Sequence, residues 1–120
     1  MSAFLVAHVT FKEDRSLAEW ADEYVARVGW IVRKHGGRFV AVSPHQAGGV
    51  ETVEGSSVPP SGMVIHVYPS MDDLKAFLDD PEYAPLKQAR VNGTVSEFWA
   101  FESNDEAPQF LGDPPQLLDR

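Results

Sequence analysis

The sequence predicts an α+β fold of order β-α-β-β-α-β, and three observations carry that prediction. Two apolar runs, residues 4–9 and 63–68, have the length and composition of strands and lack the alternation of a sheet with one wet face. Residues 17–35 place Leu17, Trp20, Tyr24, Val28, Ile31 and Val32 at helical spacing on one face. Asp80-Pro81 then breaks a second, weaker helical pattern.

Residues 4–11 read as the first strand. Ser16, with Glu19 three positions on, forms a capping-box signal for a helix from about Leu17 to His35. Gly36-Gly37 stops that helix, since glycine takes the left-handed cap conformation without penalty. Residues 38–42 form a second strand. Residues 43–62 are rich in Gly, Pro and Ser, with room for a short arm at 50–53, and residues 63–68 form the third strand. Pro69-Ser70 opens a second helix that turns Leu74, Phe77 and Leu78 inward. A helical turn over 82–90, an Asn92-Gly93 turn and a last strand over 95–102 complete the pattern. That order is ferredoxin-like, a four-stranded antiparallel sheet with the first and third strands central. Two helices cover one face of such a sheet, yet its strands are apolar on both. A second copy packed face to face is the simplest cover, so a homodimeric α/β barrel is expected. Residues 1–102 form this domain, and the proline-rich tail 103–120, with its apolar pairs Phe110-Leu111 and Leu117-Leu118, is either a lid or disordered.

Composition narrows the function. The 120 residues carry ten Lys and Arg against eighteen Asp and Glu, a formal charge of −8. That balance disfavours nucleic acid and anionic membranes as partners, because both are held by clustered cations. No cysteine means no disulfide, thiolate ligand or thiol nucleophile. Met1-Ser2-Ala3 lacks the basic start of a signal peptide, and no apolar run approaches the roughly 20 residues of a membrane span. A cytoplasmic protein is the expectation. No His-x-x-x-His or phosphate-binding glycine loop occurs, so neither metal nor other cofactor is expected.

An ordered set of residues then carries a resemblance. His35-Gly36-Gly37-Arg38-Phe39, Val53-Glu54-Gly55, Tyr68-Pro69-Ser70, Phe77, Pro81-Glu82-Tyr83, Leu86 and Arg90 together resemble the DUF1330 family of dimeric α+β barrels, over residues 4–102. The resemblance implies the same ferredoxin-like dimer. Related barrels include cofactor-free monooxygenases of aromatic polyketides, haem-degrading enzymes and small-lactone isomerases, which commonly use a cavity between sheet and helices. The family itself has no general assigned reaction. The segment 43–62 looks longer than the usual family loop, and the tail after Glu102 looks additional.

Two histidines, His8 and His66, interrupt the two central strands, and histidine titrates nearest neutral pH. A pair on one face can serve as acid and base or polarise a carbonyl; facing the core, each is a hydrogen-bonded packing residue. Arg90 is either a fixed cation for a carboxylate or enolate, or an ion-pair partner of Glu54, Glu82 or Glu97. Tyr24, Tyr83 and Trp99 are pocket walls or core. Glu54 is a turn residue or, if buried, a base with a raised pKa. Trp30 falls off the apolar stripe of its helix, and His35 suits the helix C-terminus. The reading that joins these residues is a small cofactor-independent enzyme acting on an apolar molecule of aromatic or polyketide kind. His66, His8 and Arg90 are its catalytic residues, and Tyr24, Tyr83, Trp99 and Glu54 contact the substrate. Oxygenation, isomerisation, cyclisation and hydrolysis all remain open. The alternative is a non-catalytic metabolite-binding or structural homodimer.

Overall fold

A computed structural model describes residues 2–12, 17–44 and 48–103, with the side chains of residues 17–23 excluded. Its elements are β1 (Ala3–Phe11), α1 (Leu17–Lys34), β2 (Arg38–Val42), β3 (Gly62–Tyr68), α2 (Met71–Leu78), α3 (Ala84–Gly93) and β4 (Thr94–Glu102). The four strands form one antiparallel sheet in the order β2-β3-β1-β4. This is the ferredoxin-like arrangement, with β1 and β3 central.

The stop of α1 is built from two glycines with different duties. Gly36 takes φ 77°. Its N–H donates to the Arg33 carbonyl at 3.0 Å, and the Gly37 N–H to the Val32 carbonyl at 2.9 Å. These two bonds form a Schellman cap. Gly37 is required for space instead: a Cβ there would stand 2.5 Å from the Tyr68 ring and 2.9 Å from Val32. At the start of α2, Ser70 Oγ accepts from the Asp73 N–H at 3.1 Å. The capping box at Ser16 and Glu19 lies outside the described residues, as do His45, the side chain of Trp20 and the tail from residue 104.

Two local expectations are corrected. Residues 50–53 form no strand; that stretch pairs with no neighbouring strand, and Val53 points into solvent. Asn92-Gly93 is not a turn: α3 continues through both and passes directly into β4. Thr94 makes the junction, its hydroxyl donating to the Arg90 carbonyl at 2.7 Å while its N–H caps the same oxygen.

The core lies between one sheet face and the helices. Ala3 and Leu5 of β1 and Tyr68 of β3 meet Val28, Ile31 and Val32 of α1 and Leu74 and Phe77 of α2. The opposite face presents Phe4, Val6, Ile65 and Val67, with Trp99 and Phe101 still 49% and 51% exposed. No helix among the described residues is long and apolar enough to cross a membrane.

Candidate functional site

Strand register separates the two histidines. His66 pairs with Leu5, whose side chain is buried under the helices, whereas His8 pairs with Met63 and Glu97. Residues 5 and 8 have opposite parity along β1, so His66 turns inward and His8 turns to the open face. There His8 packs on Trp99, ring centroids 4.9 Å apart, and its Nδ1 is buried without a partner. A groove of about 510 Å³ beside it is lined by His8, Thr10 and Glu54. The expected acid–base pair is therefore not one site: His8, Trp99 and Glu54 lie on one side of the sheet, and His66 on the other.

The inner group is more coherent. His66, Tyr24, Tyr83 and Arg90 line one cavity of about 40 Å³, otherwise walled by apolar residues such as Phe39, Phe77 and Phe98. Tyr24 and Tyr83 come from α1 and from the turn before α3, and their hydroxyls stand 3.4 Å apart. Burial foremost, then Tyr83, raises the Tyr24 pKa, with Arg90 opposing. The volume suits a few waters or a small head group and is far below the roughly 300–1,000 Å³ of drug-sized ligand sites. Outside it, a groove of about 670 Å³ runs between α1 and α3 past Trp30 and Leu86, and Tyr24 borders both spaces.

Arg90 is the unusual member. It is 7% exposed, and it has no carboxylate partner among the described residues. Its guanidinium donates to Ser96 Oγ, reaches the Tyr24 hydroxyl and lies 4.2 Å over the Phe98 ring. Its Nε is buried with no acceptor. The glutamates offered by the sequence lie elsewhere: Glu82 with Lys34 at 3.6 Å, Glu97 on the open face and Glu54 in the other groove. Buried charges are ordinarily paired. This one faces an apolar cavity.

His66 is held by Tyr68, whose hydroxyl stands 2.9 Å from Nδ1, and by edge contacts with Phe39 and Phe77. Burial pushes its pKa down from 6.5 to about 4. The unfolded chain takes up this proton near pH 6.5, while the folded chain resists it until about pH 4. Its contribution to stability is therefore complete above pH 6.5 and falls as pH drops through that window, by about 2–3 kcal/mol. Urea unfolding at pH 7 and pH 4.5 checks this, with His66→Gln expected to flatten that part of the profile. An equal slope in both proteins would count against it.

The sequence reading named Tyr68 within the family-like set but gave it no place in the site, although His66-x-Tyr68 spacing puts both on one strand face. It also missed the clamp that seats Tyr83. Asp80 Oδ2 accepts from His35 Nε2 at 2.6 Å and from Lys34 at 3.0 Å, and Oδ1 accepts from the Glu82 N–H at 2.8 Å. Those donors, His35 first, hold the Asp80 carboxyl down to about 2. The Asp80 carbonyl in turn receives the Tyr83 N–H at 2.9 Å. Among the described residues, no cluster of three or more His, Asp or Glu is placed to hold a metal.

Comparison with known proteins places this geometry in a family. No curated protein matches the chain. Among solved structures, a protein of unknown function from Rhodopseudomonas palustris is 16% identical with TM-score 0.65, over 87% of this chain and 83% of its own. SnoaB from Streptomyces nogalater, described as a cofactor-independent oxygenase, is 20% identical with TM-score 0.60, over 89% and 97%. A Bacteroides thetaiotaomicron protein described as a possible oxidoreductase is 18% identical with TM-score 0.58, over 85% and 97%. At these identities the likeness is one of fold. The family model for the domain of unknown function DUF1330 spans residues 2–104, so the chain belongs to the DUF1330 family.

Proposed function

We propose that this chain is a cofactor-independent enzyme for a small organic molecule with an acidic carbon, held as its enolate between sheet and helices. The observation that carries the reading is Arg90, a buried guanidinium without a carboxylate partner among the described residues, lining an apolar cavity with His66, Tyr24 and Tyr83. In so apolar a site a fixed cation stabilises developing negative charge far better than water does. The cavity takes the oxygen-bearing head, and an aromatic body extends past Tyr24 into the groove beside Trp30. The fold shared with SnoaB favours oxygenation among the reactions considered. A carbanion so stabilised meets dioxygen directly, forming a C–O bond as the O–O bond later breaks with release of water.

Anthrone, an aromatic ketone with an acidic methylene, is a suitable probe: with one dioxygen it gives anthraquinone and one water. Oxygen uptake above the buffer rate is expected for the natural sequence, and about 100-fold less for Arg90→Gln. Equal rates in the two proteins would overturn the reading. The second reading, a metabolite binder, is favoured by the small cavity volume. It predicts Arg90-dependent acetate binding, seen as amide shifts, with no oxygen uptake. The working unit is a homodimer closed over the open face of the sheet, because that face is apolar across its central strands and β4.

A further inference from the structure

The Tyr68 hydroxyl lies behind His66, outside the set of residues that line the cavity, and has one hydrogen-bond partner among the described residues, His66 Nδ1 at 2.9 Å. Tyr68 is 1% exposed, so no solvent accepts its proton. Two arrangements are conceivable. If Nδ1 carried a hydrogen and donated, the phenolic hydrogen would be buried with no acceptor. If the phenol donates, Nδ1 accepts and both groups are satisfied. A neutral imidazole bare at Nδ1 must carry its hydrogen on Nε2.

We propose that Tyr68 fixes His66 as the Nε2–H tautomer, so that the ring serves the cavity as a hydrogen-bond donor to a bound anion and not as its base. Nε2 has no partner among the described residues, and His66 lines the cavity with Arg90. The proposal deepens the reading of Arg90 as the holder of an enolate: the site offers two converging kinds of donor. It also removes the obvious proton acceptor. Among the described residues the wall holds no Asp or Glu, and burial raises the pKa of Tyr24 and of Tyr68. The substrate class follows: a molecule whose acidic proton leaves to water, or one that arrives ionised, such as an enolate, an acidic phenol or a small carboxylate. Tyr68 is a positioning residue for this chemistry. It acts through His66 and touches no substrate.

Nitrogen-15 labelling of the histidines reads the tautomer directly. Long-range proton–nitrogen correlations at pH 7.5 are expected to show His66 with hydrogen on Nε2 and a bare Nδ1, and Tyr68→Phe is expected to mix the two tautomers while other amide signals persist. Acetate titrated into the natural protein should move the Nε2–H resonance. His66→Phe should weaken acetate roughly tenfold or more, and His66→Gln, whose amide still donates, much less. A signal showing hydrogen on Nδ1 would overturn the proposal, as would a tautomer unchanged in Tyr68→Phe. Either result leaves Arg90-dependent oxygen uptake to stand or fall separately. Loss of that uptake dependence with Nε2–H intact would instead remove the enzyme reading alone.

Discussion

Replacing Phe77 by alanine is expected to lower unfolding stability by about 3–5 kcal/mol, the largest single-residue loss in the domain. Phe77 is fully buried. It stacks on Tyr83 at 4.6 Å and Tyr68 at 5.8 Å and meets the His66 ring at 5.7 Å. It is thus the common neighbour of His66 and Tyr83, which line the cavity, and of Tyr68 behind them. Truncation removes the packing of all three and leaves a void continuous with a space already about 40 Å³. Aromatic partners relax poorly around such a void, because their planes are fixed by neighbours on both sides. Urea titrations followed by circular dichroism give the value. A loss under 1 kcal/mol would show that the helices collapse onto the gap and that the cavity walls are not rigid.

The second large effect is expected on the opposite face. Trp99→Glu combined with Phe101→Glu should convert a dimer into a monomer at micromolar concentration, read by light scattering after size exclusion. Phe101 stacks on Phe4 at 5.4 Å, and Trp99 lies against His8 at 4.9 Å, yet both are about half exposed. Burying the remaining half of each is worth roughly 2 kcal/mol, so four side chains in a symmetric pair contribute about 8 kcal/mol. That corresponds to between five and six orders of magnitude in dissociation constant. A monomeric natural protein, or a variant that stays dimeric, would sink the closed-sheet assembly and leave the open face to some other partner.

The fold was legible because each element announces itself locally. The Val28, Ile31 and Val32 stripe, the Gly36-Gly37 stop and the apolar strands, each interrupted once by a histidine, follow from backbone chemistry that neighbours in sequence decide. The site was only half legible, and the reason is register. β1 and β3 are joined by a helix, a strand and a long loop, so no tight turn fixes which residues oppose each other. A shift of one residue would have put His8 and His66 on the same face. Arg90 was identified as a fixed cation or an ion-pair member; only the folded chain shows that Ser96, Phe98 and Tyr24 surround it while the glutamates lie elsewhere. Conversely, Trp30 was read as off the apolar stripe, and it stands 67% exposed.

Gly37 gains a meaning beyond ending a helix. Its missing side chain is the seat of the Tyr68 ring, which would otherwise meet a methyl at 2.5 Å. The ring so seated carries the hydroxyl that grips His66. A vacancy at a helix end is thereby wired, through one phenol, to the protonation pattern of an imidazole on the middle of the sheet. A substitution at Gly37 would thus look, in any assay of ligand or turnover, like a lesion of the site itself.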